Sequence, residues 1–245
     1  MRFYVPPESI FTERRIIEIK DMDEIHHIRD VMRLKKDTSV NVFDGKGKEY
    51  SGDIKKIDKD SVVIEINGVV DNKGIIPYKA TLYQAIPKKT KMDFIIEKAV
   101  ELGADTIVPM VTERTITALK EEKRSAKVER WRRVGKAASK QCGRVELSEI
   151  ADVTEFNNAL EASKKNDLVI FAALDKDARP LRSILRDSSQ KNIAIFVGPE
   201  GDFSQDEIAA AKGQGYSICS LGPRVLRVDT AAIYILSCLN YEGAV

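Results

Sequence analysis

Ile193-Ala-Ile-Phe-Val-Gly-Pro-Glu-Gly201 and Ile218-Cys-Ser-Leu-Gly-Pro-Arg-Val-Leu-Arg227 are the two stretches from which the fold is read. Each opens as an apolar run, as expected of a strand buried in a parallel sheet. Each then turns at a Gly-Pro pair into a tight loop, with a helical pattern beyond. Two such loops at the ends of neighbouring strands make a crevice in which backbone groups can hold a small ligand. A cofactor is expected there.

Working outward, Asp167-Leu-Val-Ile-Phe-Ala172 is another continuous apolar run. Thr81-Leu-Tyr-Gln-Ala-Ile86 and Thr106-Ile-Val-Pro-Met-Val111 also read as strands, with Pro109 suggesting an edge or an end. Between them Met92, Ile95, Ile96, Ala99, Val100 and Leu102 recur at helical spacing, and Gly103 ends that helix. A long helix is expected over residues 123–141. Ser204 with Glu207 fits a capping box, and Asp229 is placed to cap a final helix through Tyr241. Repeated strand–helix units from about Lys79 onward imply an α/β domain with a mostly parallel sheet.

The first seventy residues are patterned differently. Arg15-Ile-Ile-Glu-Ile19, Thr38-Ser-Val-Asn-Val-Phe43 and Val62-Val-Ile-Glu-Ile66 are rich in β-branched residues and partly alternate. Asp44-Gly-Lys-Gly47 is a turn signal. One helix is expected around residues 23–32, with Ile25, Ile28 and either Val31 or Met32 on one face. Short strands with one helix suggest a small barrel. Asn72-Lys-Gly-Ile-Ile-Pro77 reads as a linker, which divides the chain into domains at 1–73 and 74–245.

The 245 residues are 43% apolar and 32% charged, which suits a globular protein with a substantial core. No apolar stretch approaches the roughly 20 residues that span a bilayer, and Met1-Arg-Phe-Tyr-Val-Pro-Pro-Glu8 lacks a signal-peptide core. Cys142, Cys219 and Cys238 are far apart, without the spacing of a zinc site or a disulfide framework. A cytoplasmic protein without membrane or metal partners is expected. The net charge of +2 hides an asymmetry: residues 112–145 carry eleven Lys/Arg against four Asp/Glu. Such a window marks either a polyanion-binding surface or a solvated basic helix.

Neither the dinucleotide fingerprint nor the Lys-Ser/Thr phosphate loop is present in the two glycine-bearing loops. Arg224 and Arg227 stand beside the second loop with Asp229. They suit a carboxylate, a phosphate or an enolate-like oxygen, or an ion pair with Asp229 itself. Helical spacing puts Arg133, Lys136 and Lys140 on one side of the long helix. Gln141 and Arg144 fall at its end, where Gly143 can break it. These residues suit phosphates and base edges, or simply a basic helix end favoured by the helix dipole. His26 and His27 are adjacent and read as helix-surface residues, and Trp131 as a packing anchor.

Phe196-Val-Gly-Pro-Glu-Gly201, Leu221-Gly-Pro-Arg-Val-Leu-Arg-Val-Asp-Thr-Ala231 and Gln141-Cys-Gly-Arg144 resemble the signatures of RsmE, a family of ribosomal RNA small subunit methyltransferases. Pro87-Lys-Lys-Thr-Lys-Met-Asp-Phe-Ile-Ile-Glu-Lys-Ala-Val-Glu-Leu-Gly103 resembles the start of its catalytic domain, and Glu113-Arg114 follows in place. His27-Ile-Arg-Asp-Val-Met-Arg-Leu34 and Val42-Phe-Asp-Gly-Lys-Gly47 resemble its N-terminal domain. The resemblance covers nearly the whole chain in order. It implies an α/β fold class: an N-terminal PUA-like β-barrel that binds RNA, then a C-terminal SPOUT α/β domain with a deep trefoil knot. Pattern reasoning alone would not propose a knot.

The implied activity is methylation of N3 of a uridine in 16S ribosomal RNA, using S-adenosylmethionine. The implied partners are the RNA or the assembled small subunit, and a second copy of the chain in a homodimer. By position, Leu174, Gly198, Glu200, Gly201, Leu221, Gly222 and Leu226 would line the cofactor. Arg227 and Arg144, then Arg114, would face the uracil oxygens, with Asp229 orienting an arginine. Arg133, Lys136, Lys140 and Gln141 would contact RNA. The chain departs from the family pattern twice. Asp202 stands where the family usually has a second glycine, and Asp can tolerate an unusual backbone angle. Asp229 stands where glutamate is usual. Methylation at another position such as the ribose 2′-oxygen, or an RNA-binding module that kept the fold without catalysis, are the alternatives.

Overall fold

The structure is a computed structural model that describes residues 1–71, 77–88, 91–115, 121–186 and 190–243. Most of the expected linker, 72–76, lies outside the described residues. The chain falls into two compact units. One joins Met1–Ile75 to Ser139–Leu147, and the other joins Ile76–Ala138 to Ser148–Val245.

In the first unit β1 (Arg2–Tyr4), β2 (Ile10–Phe11), β3 (Ile16–Ile19), β4 (Ser39–Phe43), β5 (Glu49–Ile57) and β6 (Val62–Val70) form one sheet in the order β1-β4-β5-β6-β3-β2. Alternate residues point inward. Ile17, Ile19, Val40, Val42, Val62, Ile64 and Ile66 bury together with Phe3, Ile25 and Ile28, which is the period-two pattern that marked these segments. Strand β5, central with β6, has no clear strand pattern in the sequence, because Gly52 and a run of charges obscure it. Gly52 is required there: a Cβ would stand 2.4 Å from the Glu65 carbonyl oxygen of the neighbouring strand. Register shifts at Ser51/Gly52 and Ile54/Lys56 bend this pair. With β1 and β2 as edges, the expected barrel is a half-barrel.

The expected helix over 23–32 is two pieces. The helix α1 (Met22–His26) is capped by the Asp21 carboxylate, and a single π-turn follows at His27–Val31. His26 is exposed and pairs with Asp30 at 2.8 Å, while the His27 ring meets Phe3 edge-on. Residues 139–147 complete this unit. The Arg2 guanidinium grips Glu49 and donates to the Ser139 and Arg144 carbonyls at 3.1 and 2.6 Å. The Lys140 ammonium donates to both oxygens of Glu24, which is 3% exposed.

The second unit contains β7 (Lys79–Ala85), α2 (Lys91–Glu101), β8 (Thr106–Val111), α3 (Glu121–Cys142), β9 (Glu149–Ile150), β10 (Thr154–Glu155), α4 (Phe156–Ala162), β11 (Leu168–Ala172), β12 (Arg179–Pro180), α5 (Leu181–Arg186), β13 (Asn192–Val197), α6 (Gln205–Gly213), β14 (Ser217–Ser220) and α7 (Val228–Gly243). Helix α3 belongs to it through Ala138. All its strand pairings are parallel, in the order β10-β8-β7-β13-β11-β14-β12, with β9 also on β8.

Pro109 does not mark an edge. Strand β9 pairs with Thr106 and Ile107, and β10 with Met110 and Val111, so Pro109 falls in the gap between two short partners. One face of the sheet buries Tyr83, Phe171, Phe196 and Ile218 under Phe156, Phe203 and Ile208. Helix α7 packs on β13 and against α2. Trp131 is 3% exposed, a packing anchor as expected. The three cysteines are free. Among the described residues, no helix is long and apolar enough to cross a membrane.

Candidate functional site

Strands β13 and β14 follow each other in sequence yet lie on opposite sides of β11. Their C-terminal ends therefore diverge around the end of β11, the place where open parallel sheets form a crevice. Three loops meet there. The first, 198–204, leaves β13; the second, 173–175, leaves β11; the third, 221–227, leaves β14 and leads into α7. They enclose a cavity of about 390 Å³, within the range of small-molecule sites.

The expected residues Leu174, Gly198, Glu200, Leu221, Gly222 and Leu226 line this cavity, and so does Arg227. Gly201 does not; it packs against the Arg114 side chain. Ala172, Ala173, Val197, Val228 and Ala231 supply apolar wall. Gly222 has φ +115°, and nothing stands within 4 Å of where its Cβ would be. Any other residue there would be strained and would project into open space.

The first loop is built around Asp202. Its φ of +59° makes it the left-handed position of the loop, as the departure from glycine suggested. The Asp202 N–H donates to the Pro199 carbonyl at 3.0 Å and closes a turn. Its carboxylate accepts from the Phe203 N–H and the Leu174 N–H, each at 2.8 Å. Beyond it the expected capping box forms: Ser204 and Glu207 satisfy each other's backbone N–H. Glu200 accepts from the Lys88 N–H at 3.0 Å, so its carboxylate ties the same loop to the segment after β7.

Arg114 sits in a turn after β8. Thr115 Oγ1 accepts from the Thr112 N–H, and Glu113 donates its N–H to Glu207. That turn aims the Arg114 guanidinium at the Gly201 and Phe203 carbonyls, at 2.9 and 3.2 Å. Arg114 thus holds the first loop from outside the cavity.

Asp229 is not the helix cap that was expected. It lies in the first turn of α7, and its carboxylate takes a hydrogen bond from Lys91 at 3.1 Å. Burial pushes its pKa up. The hydrogen bonds from Lys91 and its own N–H, with the charges of Lys91 and Arg227, outweigh this, so the net shift is downward. A folded value below the unfolded one means that the pair's contribution to stability is present above the ordinary carboxylate range. It is lost as pH falls through the depressed value. In Lys91→Met the Asp229 titration, followed by NMR, is expected to move up; an unmoved titration would show that Lys91 does not set it.

Lys91 was missed as a site residue. It stands within the Pro87–Gly103 stretch, but its partner is 138 positions away, so only the folded chain reveals the contact. Of the expected RNA contacts, Arg133 and Gln141 are exposed and Lys136 is half-buried. Lys140 is committed to Glu24. Arg144 belongs to the first unit, where it donates to the Glu146 carbonyl at 3.2 Å.

Residues 75–240 match the family model for an RNA methyltransferase domain, and residues 19–67 match that for an RNA methyltransferase PUA domain. The chain is 30% identical over 234 residues to ribosomal RNA small subunit methyltransferase E of Bacillus subtilis, covering 90% of this chain and 88% of that protein. Its counterpart from Aquifex aeolicus is 33% identical over 217 residues, covering 88% and 90%. Among solved structures, a Legionella pneumophila methyltransferase in complex with bound cofactor SAM superposes with a TM-score of 0.87 at 30% identity, over 98% of this chain and 96% of that one. Ribosomal RNA small subunit methyltransferase E of Neisseria gonorrhoeae, bound to S-adenosyl methionine, superposes with a TM-score of 0.86 at 27% identity, over 98% and 96%. The two glycine-bearing loops, the crevice they enclose and these matches over nearly the whole chain agree: the chain belongs to the ribosomal RNA small subunit methyltransferase E family.

Proposed function

We propose that this protein transfers a methyl group from S-adenosylmethionine to N3 of a uridine in 16S ribosomal RNA. The observation that carries the reading is the crevice at the ends of β13, β11 and β14, with Arg227 among its lining residues. The cavity fits the cofactor. Ala172, Ala173, Val197, Val228 and Ala231 give it apolar wall that suits an adenosine, and there is open space beside Gly222. When bound, the cofactor supplies an electrophilic methyl group.

The chain must do the rest. Uridine N3 becomes a good nucleophile only as its proton leaves to solvent water, and the negative charge then spreads over the two uracil carbonyl oxygens. The N3–methyl bond would form as the methyl–sulfonium bond breaks, with S-adenosylhomocysteine as the leaving group. Arg227 donates to those oxygens, where preorganised donors act most strongly. Arg144 is assigned a second contact to the base or its phosphates. Asp229 orients the cations around it: it holds Lys91 by a hydrogen bond, and Arg227 feels its charge. A carboxylate whose pKa is lowered is a weak base for a weak acid, which favours orientation over proton removal. Arg114 holds the cofactor loop in shape.

RNA is gripped by the half-barrel unit and by Arg133, Lys136 and Gln141 of α3, while Lys140 fixes the end of that helix. The target base is read unpaired or flipped from its stack. The division into an RNA-binding domain of residues 1–73 and a catalytic domain of residues 74–245, with a knotted C-terminal segment, is part of the same reading. So is a cytoplasmic homodimer. Phe94 of α2 and Tyr234 and Tyr241 of α7 are 45%, 44% and 79% exposed, apolar surface suited to a second copy.

The test is to incubate the protein with S-adenosylmethionine and either naked 16S RNA or small subunits from cells lacking this activity. The RNA is then digested and its nucleosides identified by mass spectrometry. 3-Methyluridine is the expected product. A 2′-O-methyl nucleoside, or no methylation of either substrate, would overturn the reading.

A further inference from the structure

The first cofactor loop contains one left-handed residue, and it is an aspartate. Neither Gly198 nor Gly201 has positive φ; Asp202 does, at +59°. An L-residue in that region is disfavoured unless its side chain gains something locally. Asp202 gains two charge-assisted hydrogen bonds. One, from the Phe203 N–H, stays within its own loop. The other, from the Leu174 N–H, reaches 28 positions back to the loop that follows β11.

Strand β11 lies beside β13 in the sheet. Leu174 and Asp202 lie in the two loops that leave these neighbouring strands, beyond Ala172 and Val197, and both line the cavity. The backbone of the Leu174 loop is anchored on its other side, where Ala173 donates to the Cys219 carbonyl of β14 at 3.3 Å. The Leu174 side chain is 63% exposed and offers little packing to hold the loop.

We propose that Asp202 is a positioning residue. Its carboxylate staples the first wall to the second and sets the width of the cofactor crevice. The proposal rests on the methyltransferase reading above. It separates two consequences of one residue: the backbone angle, which glycine would adopt more easily, and the staple, which glycine would lose.

Asp202→Gly decides between them. If the backbone angle dominated, the variant would bind S-adenosylmethionine as well as the wild type or better. The staple requires the opposite. The dissociation constant for S-adenosylmethionine, by calorimetry, should rise about tenfold, the scale of a lost charge-assisted hydrogen bond. The KM for S-adenosylmethionine should rise in step, while kcat at saturating cofactor and the KM for RNA stay within about twofold. Hydrogen exchange of the Leu174 amide should accelerate by about tenfold in the protein without cofactor. Asp202→Asn tolerates the same backbone angle and keeps one acceptor oxygen, so it should fall between the two.

An unchanged Leu174 exchange rate in Asp202→Gly would overturn the staple. Faster exchange with unchanged cofactor affinity would overturn the positioning role. Absence of S-adenosylmethionine binding by the wild type would instead sink the methyltransferase reading and the positioning role with it, while the exchange rate would still report on the staple alone.

Discussion

Arg227→Ala is expected to lower kcat for RNA methylation on the order of 10²–10³-fold while S-adenosylmethionine still binds. Arg227 is a lining residue of the cavity, just before α7 and beyond Leu226 of the third wall. It is exposed, so its removal leaves no buried hole and the fold should persist. What it removes is a fixed donor for charge that develops on the uracil oxygens during transfer, and loss of one such donor has effects of this size. Single-turnover methylation at saturating S-adenosylmethionine, paired with calorimetry on the same preparation, checks both halves. Transfer at the wild-type rate would remove Arg227 from the mechanism. Loss of cofactor binding would instead make it a wall residue.

Phe203→Ala should have the largest effect on stability. Phe203 is 1% exposed, with its ring centroid 4.2 Å from that of Phe171 and 5.9 Å from that of Phe156. It lies between the turn closed by Asp202 and the Ser204 cap of α6. Truncating a buried phenylalanine leaves a cavity and lowers stability by about 3–5 kcal/mol, measured as a lower urea midpoint. Cofactor affinity should fall with it, because the ring packs under Gly198, with a Cβ position there only 3.1 Å from ring carbons. A midpoint within the error of the wild type would show that the first loop is not seated by this ring.

Much of the second unit was legible. The apolar runs at 167–172, 193–197 and 218–221 are long enough and featureless enough to be strands buried on both faces. Ser204 and Glu207 announced the start of α6 by chemistry that is local in sequence. Elements that depend on a neighbour were not legible. Strand β5 carries a glycine because another strand's backbone crowds it. The two-residue strands β9, β10 and β12 exist only through their partners. Pro109 follows a sound rule about missing N–H groups, yet a gap between two short strands satisfies the rule as well as an edge does.

The site divides in the same way. The glycine-bearing loops were visible as strand ends, and the family resemblance placed Leu174 among their companions. The Lys91–Asp229 pair, the Arg114 clasp on the Gly201 and Phe203 carbonyls and the Asp202 staple each join residues 28 to 138 positions apart. Residue type alone assigned Asp229 to the helix cap, because aspartate is a good cap. The helix begins one residue earlier, at Val228, so Asp229 lies inside the first turn, where its carboxylate accepts from both Lys91 and its own N–H.

The segment 139–147 bears on how this protein can be taken apart. A cut after residue 75 would give a fragment that keeps Glu24 and Glu49, both buried in the whole chain, but lacks Lys140, which donates to Glu24, and the Ser139 and Arg144 carbonyls that hold Arg2 beside Glu49. The complementary fragment would carry the end of α3 without the half-barrel that receives it. Dissection at any single peptide bond between the two units therefore damages both halves. A half-barrel fit for separate study would need residues 139–147 returned to it, by fusion across the gap or as an added peptide.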